Sequence, residues 1–402
     1  MSKQNQKTLE KFLLEKFGTL PMRSKILEIG SADGKNARFL HENNFNITAS
    51  DVATGFLREI EKQGLAPLKF NVLTDSLDRH FDGVLAWRVF VHFTKQDAAR
   101  ALNKIYELLM PGGILIFNVM NKADKNNLDS AWVDYPGAYH MGVERFFQYY
   151  SKQSILRILK NAGFELIFCE AEGGDNGRRW FNIVAKKPLG VNPALVEYVE
   201  TEIFPRYAAL AGHSIDHILQ VITRSLYFAN QVNQKTPATI NLDMAYIIAA
   251  YHDLGREIDN ETHEKISAEL LLKDEKIASF FTPDQLKLMA EAVADHRASL
   301  AREPRSIYGR IVSTADRNTD HLAMLKRCFE YHCELRPNAS YDEVVEEARG
   351  ILRKKYGGTS GYAAKKVYFP DPDFETCLFE IERLTADPVL FRAALETIIS
   401  KR

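Results

Sequence analysis

Residues 25–40, KILEIGSADGKNARFL, decide how the first half of the chain folds. KILEIG is β-rich, the following residues have helical periodicity, and Gly30 and Gly34 lie between the two patterns. A glycine turn between a strand and a helix brings the backbone close to a ligand and leaves helical N–H groups free. Asp51 ends the next β-rich run, 23 residues after Glu28, where a carboxylate can accept hydrogen bonds from both ribose hydroxyls. The stretch therefore predicts a strand–turn–helix unit that binds an adenosine-containing ligand.

Outward from this unit, β-rich runs and helical patterns alternate. Six runs are typical of strands: residues 25–30, 45–51, 81–89, 112–120, 164–172 and 180–187. Four amphipathic stretches are typical of helices: residues 36–43, 54–63, 95–110 and 151–163. Such alternation predicts an α/β domain with a mainly parallel sheet that helices cover on both faces.

A change of pattern near residue 190 predicts a second domain. Pro188, Gly190 and Pro193 punctuate a short connection, and long helical patterns dominate beyond it. At 402 residues the chain is also too long for one ordinary core. We expect residues 1–189 to form the α/β domain and residues 190–402 to form an all-α helical bundle.

The composition of the sequence indicates which binding partners are expected and in which cellular compartment the protein is expected. The net charge is −1 and charged residues make up 26%, so no strong field attracts nucleic acid or a membrane. The four cysteines include no CxxC pair, which favours a reducing cytoplasm. The N-terminus lacks the pattern of a signal peptide, and no apolar run reaches the ~18 residues of a transmembrane helix.

Several motifs of the first half together resemble class I S-adenosylmethionine-dependent methyltransferases, across about residues 20–187. The motifs are LEIGSADG, the SD pair at residues 50–51, FDGVLAWRVFVHF and LLMPGGILIFNV. The resemblance implies a Rossmann-like, mostly parallel seven-stranded sheet that binds S-adenosyl-L-methionine. The cofactor-binding residues that it implies are Glu28, Gly30, Ser31 and Gly34 at the methionine end, Asp51 at the ribose, Asn71 and Val72 beside the adenine, and Trp87 after the fourth strand.

Two positions depart from the family pattern. Ala32 occupies the place of the middle glycine of the turn, and Asn71 occupies a place where many members carry an adenine-contacting aspartate. A methyl group is small, and an amide can still form a hydrogen bond with an amino group. Neither departure is therefore expected to abolish the cofactor site.

The methyl acceptor is defined less well. Residues 121–151 are aromatic-rich and lie between the fifth predicted strand and the next helix, where insertions in this fold cover the acceptor. The candidate contacts are Tyr135, Tyr139, His140, Arg145 and Tyr149, all of which could equally pack as a lid against the sheet. No catalytic base can be named, and methyl transfer often needs only positioning. Alternatively, this half serves only as an S-adenosylmethionine-binding regulatory module.

Histidines are concentrated in the second half. Seven of the eleven fall between His213 and His332, several of them beside aspartates at the edges of helical patterns. The relevant stretches are DHILQV, YHDLGRE, THEKIS, VADHRAS and STADRNTD. A metal site between helices needs inward ligands from several elements, and a His/Asp mixture suits Mn, Fe, Zn, Ni or Co. We therefore expect one or two divalent transition-metal ions in this half.

These stretches resemble the HD superfamily of metal-dependent phosphohydrolases across about residues 195–330. The metal ligands that the resemblance implies are His217, His252, Asp253 and Asp316. His263 and His296 match two further histidines that hold a second metal in some members. The alternative is that these two histidines contact the substrate phosphate around a single metal; two metals are the favoured interpretation.

The resemblance implies hydrolysis of a phosphate ester or anhydride in a nucleotide or another small phosphorylated metabolite. The expected catalytic residues are Asp253, Arg256, Glu257 and Arg297, with Arg317 as a further cation. The planar guanidinium of arginine suits phosphate, and a carboxylate such as Glu257 could position water. Two metals could polarise the phosphoryl group and activate water at neutral pH. The whole chain would then be a bifunctional enzyme.

Two alternatives stay open for the second half. The same ligand set could support a di-iron oxygenase, or both sites could be inactive and the chain could act as a scaffold. The stretch 354–374, rich in Gly, Tyr and Lys, could fold over the metal cleft or form a β-ribbon contact in a homodimer.

Overall fold

The computed structural model of the chain describes residues 3–125, 127–134, 144–173, 179–208, 215–236, 239–357 and 367–399. The chain divides into two compact units, Met1–Gly190 (unit 1) and Val191–Arg402 (unit 2). None of the described helices combines the length and the apolar character that crossing a membrane requires.

Unit 1 is an α/β unit. Its described helices are α1 (Lys3–Phe17), α2 (Lys35–Glu42), α3 (Thr54–Lys62), α4 (Lys95–Leu108) and α5 (Lys152–Asn161). Its described strands are β1 (Lys25–Ile29), β2 (Asn46–Asp51), β3 (Pro67–Lys69), β4 (Phe81–Ala86), β5 (Leu109–Asn121), β6 (Ser130–Asp134), β7 (Glu144–Tyr150), β8 (Glu165–Gly173) and β9 (Arg179–Lys186).

The strands form one mostly parallel sheet, which confirms the expected architecture. β3, β2, β1, β4 and β5 are adjacent in that order and parallel. β5 then pairs antiparallel with β9, which pairs antiparallel with β8. Near its carboxyl end β5 also pairs with β7, which forms an antiparallel pair with β6. The sheet has nine strands rather than seven, because residues 121–151 contribute β6 and β7.

Burial explains why the central strands form. Four of the five residues of β1 are buried, as expected for a parallel strand that is covered on both faces. Helix α4 begins after Thr94, whose side chain accepts a hydrogen bond from the N–H of Asp97. The apolar residues of α4 recur at helical spacing and are all buried against the sheet: Ala98, Ala101, Leu102, Ile105 and Leu108.

All the regular elements among the described residues of unit 2 are helices. Its α-helices are α6 (Pro193–Tyr198), α7 (Phe204–Tyr207), α8 (Ile215–Lys235), α9 (Leu242–Tyr251), α10 (His263–Lys273), α11 (Glu275–Ala278), α12 (Pro283–Ala294), α13 (Ile307–Ala315), α14 (His321–Leu335), α15 (Tyr341–Tyr356), α16 (Pro372–Ala386) and α17 (Pro388–Ile399). A π-helix (Val199–Ile203) joins α6 to α7, and a 3-10 turn (Leu254–Glu257) follows α9. The expected helical bundle is confirmed.

Helix α9 is the central element of unit 2. Every residue from Met244 to Tyr251 is buried, so α9 is surrounded by other helices rather than lying on the surface. Asn241 begins it by accepting hydrogen bonds from the N–H groups of Asp243 and Met244. The last four helices, α14 to α17, form a separate apolar core. The fully buried α9 thereby places its polar end, residues 252–253, inside the unit.

Two candidate functional sites

Six side chains from different helix ends meet inside unit 2. They are His217 in the first turn of α8, His252 and Asp253 after α9, His263 at the start of α10, His296 after α12, and Asp316 after α13. Their nitrogen and oxygen atoms form two triads, His217–His252–Asp316 and Asp253–His263–His296, with the atoms of each triad within 4.8 Å of one another. The structure thus brings together every metal ligand that the sequence predicts.

The backbone orients three of the histidine rings. Nδ1 of His252, His263 and His296 lies 2.8, 2.9 and 2.7 Å, respectively, from the carbonyl oxygen three residues earlier in the chain. A carbonyl oxygen only accepts, so each Nδ1 carries a proton and donates it. In the neutral ring the lone pair then lies on Nε2, which is the atom that faces the triads.

Asp253 lies between the two triads. Its Oδ1 is 3.0 Å from Nε2 of His263 and 3.4 Å from Nε2 of His296. Its Oδ2 is 3.5 Å from Nε2 of His252 and 3.7 Å from Nε2 of His217. The side chain is fully enclosed, so one buried carboxylate serves both triads.

Asp316 completes the first triad and adds a second carboxylate. Its Oδ1 lies 3.2 Å from Nε2 of His217 and 3.7 Å from Nε2 of His252. Burial raises the pKa of Asp316, but the nearby imidazoles of His217 and His252 outweigh this effect and hold the pKa well below its usual range. Burial lowers the pKa of His252, yet Asp253 and Asp316 raise it to about 9. The two carboxylates therefore concentrate negative charge in an enclosed place, which attracts cations.

The donor atoms fit a metal. Nε2 of His263 and Nε2 of His296 are only 3.3 Å apart. Two imidazole lone pairs at this distance repel unless a proton or a cation lies between them. Nε2 of His252 is buried and makes no hydrogen bond to any residue that the structure describes. A nitrogen–oxygen donor set of this kind suits the divalent transition metals that the sequence predicts.

Asp295, which the sequence interpretation missed, supports the histidine beside it. Its carboxylate is 1% exposed and accepts hydrogen bonds from both Arg302 and Arg305. Burial raises the pKa of Asp295, but these hydrogen bonds lower it to about 2. The cluster ties the segment after α12 to the helix end that carries His296. Its position next to a predicted ligand was the signal available in the sequence.

Arg224 supports Asp316 in a similar way. Its Nε donates to the carbonyl oxygen of Ala315 at 3.0 Å, and its Nη2 pairs with Asp371 at 2.5 Å. Asp371 is 4% exposed and begins α16. Arg224 lies seven residues after His217, two helical turns along the same face of α8. One face of α8 therefore carries the predicted ligand His217. The same face also carries Arg224, which binds the end of α13 next to the predicted ligand Asp316.

Two of the arginines proposed from the sequence lie beside the ligands. Nε of Arg256 is 2.9 Å from Oδ1 of Asp253, so this arginine holds the carboxylate that the triads share. Arg317 follows Asp316 directly and is 7% exposed. Burial lowers the pKa of its guanidinium. Both cations therefore lie close to the carboxylates of the two triads.

Two other catalytic candidates pair with residues that are not among the six ligands. The carboxylate of Glu257 pairs with Arg206 of α7. Arg297 donates to the carboxylate of Glu264 at 3.1 Å and to a backbone carbonyl oxygen. Among the residues described, no hydrogen bond or ion pair joins Glu257 to the six ligands. These contacts favour positioning roles for both side chains.

In unit 1, the turn after β1 has the conformation that a close backbone approach requires. Gly30, Ala32 and Gly34 all have positive φ, at 69°, 49° and 74°. A Cβ atom on Gly30 would lie 2.7 Å from Cγ2 of Val89. Gly30 is therefore required both for its backbone conformation and for space.

Two carboxylates lie beneath this turn. Oε1 of Glu28 accepts a hydrogen bond from Nδ2 of Asn36 at 3.2 Å, whereas Oε2 is buried with no partner among the described residues. Burial raises the pKa of Glu28 to about 7. Oδ2 of Asp51 accepts from the N–H of Ala32 at 3.1 Å, which places it at the end of β2 beside the turn. The orphaned oxygen of Glu28 fits a bound group that carries a positive charge.

The remaining cofactor candidates have mainly structural contacts. Oγ of Ser31 accepts from the N–H of Ser50 at 3.1 Å, which joins β1 to β2. Oδ1 of Asn71 accepts from the backbone N–H two residues later and shapes that turn. The side chain of Val72 is 3% exposed and packs in the core of unit 1. Trp87, by contrast, has a buried Nε1 that makes no hydrogen bond to any described residue.

The predicted acceptor lid is only partly described. Tyr135, Tyr139 and His140 lie outside the described residues, as do His213 and residues 358–366 of the C-terminal loop. Tyr149 is 2% exposed and packs with Phe147 in a small core, so its side chain supports the β6–β7 hairpin. Arg145 lies in β7 opposite Val133 of β6.

Comparisons with known proteins give each unit a class. Residues 1–167 match the family model described as a methyltransferase domain, and residues 214–319 match the one described as an HD domain. No curated protein matches the chain. The first unit is therefore a methyltransferase domain, and the second contains an HD domain.

Several solved structures resemble part of the chain. A SAM-dependent methyltransferase from Methanosarcina mazei is 17% identical, with a TM-score of 0.36, and covers 42% of this chain and 95% of its own. An S-adenosylmethionine-dependent methyltransferase from Clostridium acetobutylicum is 15% identical, with a TM-score of 0.39. The match covers 45% of this chain and 92% of the other protein. The CcbJ methyltransferase from Streptomyces caelestis is 15% identical, with a TM-score of 0.37. The match covers 44% of this chain and 89% of the other protein. The family models show that the chain joins two enzyme domains.

Proposed function

We propose that the chain is a bifunctional enzyme that transfers a methyl group in unit 1 and hydrolyses a phosphate ester or anhydride in unit 2. The observation that carries the second activity is the pair of triads that share Asp253. Six ligand atoms of the type that metals prefer converge there from five separate helix ends. The proposed substrate of unit 2 is a nucleotide or another small phosphorylated metabolite.

In the proposed hydrolysis, the residues of unit 2 have two kinds of role: some would hold the metal ions, and others would orient a ligand or bind the phosphate. His217, His252 and Asp316 would hold one divalent cation, and His263 and His296 would hold a second, with Asp253 shared between them. Such cations, when bound, supply positive charge for the phosphoryl oxygens and lower the pKa of water. Arg256 orients the shared carboxylate, and Arg317 offers a guanidinium that suits an incoming phosphate.

In unit 1, Glu28 and Asp51 support binding of S-adenosyl-L-methionine. The unpartnered Oε2 of Glu28 can accept a hydrogen bond from the ammonium group of the cofactor, and Asp51 can accept from the ribose. The cofactor supplies a methyl carbon bonded to a positively charged sulfur. The left-handed turn at Gly30 lets the backbone approach the cofactor without a side chain between them. That the protein is cytoplasmic and that it forms a homodimer are predictions from the sequence.

Replacement of the shared carboxylate tests the hydrolase proposal. We expect Asp253→Asn to lose bound metal and at least ~100-fold of the hydrolytic activity found in a screen of nucleotides and sugar phosphates, because a neutral amide binds cations weakly. His332→Gln is the matched control, since His332 is buried but lies in α14 outside the triads. Metal content that is unchanged in Asp253→Asn would refute the site. Turnover that requires oxygen would support the oxygenase alternative instead.

A second pair of variants tests the methyl-donor site by calorimetry. Asp51→Ala should weaken S-adenosylmethionine binding by about 10-fold or more, because a charge-assisted hydrogen bond to the ribose is lost. Asp78→Ala, at an exposed position in the same unit, should bind as the wild type does. Tight binding without any methylated product across a broad set of acceptors would favour the regulatory module.

A further inference from the structure

A small cavity opens in unit 1 beside Trp87, at the carboxyl end of the central strands. Its walls come from five elements that are distant in the sequence: the first turns of α1, the segment after β4, β5, β8 and β9. The lining includes Phe12, Trp87, Asn118, Glu172, Trp180 and Asn182. None of the described residues from 121–151, the segment expected to cover the acceptor, contributes to this lining.

Asn182 presents a buried, unused acceptor to this cavity. The side chain is 6% exposed, and its Nδ2 donates to the carboxylate of Glu172. A carboxylate oxygen accepts and does not donate, so the amide cannot be turned the other way without losing this bond. Its Oδ1 is then left without a partner among the described residues. A buried carbonyl oxygen in this state needs a donor from a bound water molecule or a ligand.

The residue opposite Asn182 on the neighbouring strand is also a buried asparagine. Asn118 of β5 lies directly opposite Asn182 of β9 in the sheet, and it is 2% exposed. Its Oδ1 accepts from the backbone N–H of Arg88 at 2.7 Å, where Arg88 has a φ of 62°. The guanidinium of Arg88 lies 5.5 Å from the ring centre of Trp180. The two asparagines of the polar wall are therefore buried and held by hydrogen bonds.

The rest of the wall is aromatic. The rings of Phe12 and Trp87 lie 6.3 Å apart, and Trp180 contributes a third ring. Trp87 also brings its buried indole N–H, which has no acceptor among the described residues. The cavity thus offers flat apolar surfaces, one unused acceptor and one unused donor. A flat molecule that carries an N–H group matches this combination.

We propose that this cavity binds the methyl acceptor and selects a neutral aromatic amine, whose N–H donates to Oδ1 of Asn182. This inference rests on the proposed methyl transfer, because Trp87 lies both in the cavity wall and at the predicted cofactor site. A hydrogen bond through N–H leaves the nitrogen lone pair free. That lone pair forms the new N–C bond, the C–S bond of the donor breaks with its electron pair passing to sulfur, and the extra proton on nitrogen leaves to water.

Binding of three matched probes to the full-length protein, without methyl donor, tests the selection. 4-Fluoroaniline, 4-fluorophenol and 4-fluorotoluene have similar shapes but offer N–H, O–H and no donor, and fluorine NMR reports their binding. We expect the wild-type protein to bind the aniline about 3-fold to 10-fold more tightly than the toluene. Equal affinities for these two would overturn the proposal. Tighter binding of the phenol than of the aniline would overturn the choice of nitrogen.

Two variants and a control locate the effect. Asn182→Leu keeps the branching and the number of heavy atoms of the side chain and should bring the aniline-to-toluene ratio to about 1, since the acceptor is gone. Glu172→Gln changes an exposed residue, lets the Asn182 amide reverse, and should lower the ratio even if Asn182→Leu does not fold. Asn161→Leu, exposed at the end of α5, should keep the wild-type ratio. A wild-type ratio in both Asn182→Leu and Glu172→Gln would place amine binding elsewhere.

A separate titration distinguishes failure of this inference from failure of the proposed function. Binding of S-adenosylmethionine is measured on the same samples by calorimetry. Protein that binds the methyl donor but shows no preference for the aniline rejects only the assignment of the cavity. Protein that prefers the aniline but does not bind the donor rejects the proposed methyl transfer and leaves the cavity as an amine site.

Discussion

At Asp253, the two oxygens of one carboxylate face different pairs of histidines. Oδ1 approaches His263 and His296, and Oδ2 approaches His217 and His252. A residue in this position can hold two cations at once. The substitution of single histidines therefore separates a centre with two metals from one in which two histidines contact phosphate.

The first residue-scale prediction concerns metal content. We expect His217→Ala and His263→Ala each to lose one of two metal equivalents per chain, because each histidine belongs to a different triad. Elemental analysis after reconstitution measures this directly, and Asp253→Asn should lose both equivalents. One equivalent in the wild type that survives in His263→Ala would instead support a single metal.

The second residue-scale prediction concerns a proton at Glu28. Burial raises the pKa of its carboxyl from 4.5 to about 7, so the group is mostly protonated near pH 6. A cofactor ammonium beside it favours the charged form and lowers this pKa. S-adenosylmethionine binding near pH 6 should therefore release up to one proton, and binding above about pH 8 should release almost none.

Calorimetry in buffers of different ionisation enthalpy counts the released protons. Glu28→Gln has no proton to release at this position, so its binding enthalpy should not depend on the buffer. Proton uptake on binding near pH 6, or the same release in Glu28→Gln, would contradict the assignment of Glu28.

At the scale of elements, the ligands of unit 2 depend on how closely the turn after α9 approaches α10. The N–H of Gly255 donates to Oγ of Ser267 at 2.8 Å. A Cβ atom on Gly255 would lie 2.4 Å from the carbonyl oxygen of His263 and 2.8 Å from Cβ of Ile266. The glycine is therefore required by the backbone of a neighbouring helix that carries a ligand.

We expect Gly255→Ala to destabilise unit 2 by about 2 kcal/mol or more and to weaken metal binding, because α10 must move away from the turn. Gly350→Ala is the matched control, since Gly350 lies in α15 and a Cβ there meets nothing within 4 Å. That change should stabilise the helix by about 0.5–1 kcal/mol. Chemical denaturation measures both, and equal effects of the two variants would contradict the packing argument.

The elements also show where local patterns were insufficient. β3 has only three residues, too few for a period to show, and β6 and β7 lie in an aromatic stretch that was expected to cover the acceptor. The strand predicted to end at residue 89 ends at Ala86, because the chain turns at Arg88 with positive φ. Longer elements such as α4 and β5 were predicted well, since their sequence patterns extend over many residues.

At the scale of the whole molecule, each unit has its own core, so each should respond to its own ligand. We expect thermal unfolding in two steps, with divalent metal raising one midpoint and S-adenosylhomocysteine raising the other by about 5–10 °C at saturating concentration. Asp253→Asn should abolish only the shift caused by metal. A single transition that both ligands raise would show that the two units unfold together.

The sequence by itself determined the α/β and helical character of the two units and the turn at Gly30, and it predicted the six candidate metal ligands that converge in unit 2. These features are local, because periodicity, glycine conformation and the motifs depend on residues that are close together in the sequence. Only the tertiary structure decided that Asp253 is shared between triads and that Glu257 and Arg297 are held by other partners. Only the tertiary structure also brought together the five elements, distant in the sequence, that line the cavity at Asn182. Such relations depend on how helix ends and strand edges pack, and residues far apart in the chain carry no local signal of that packing.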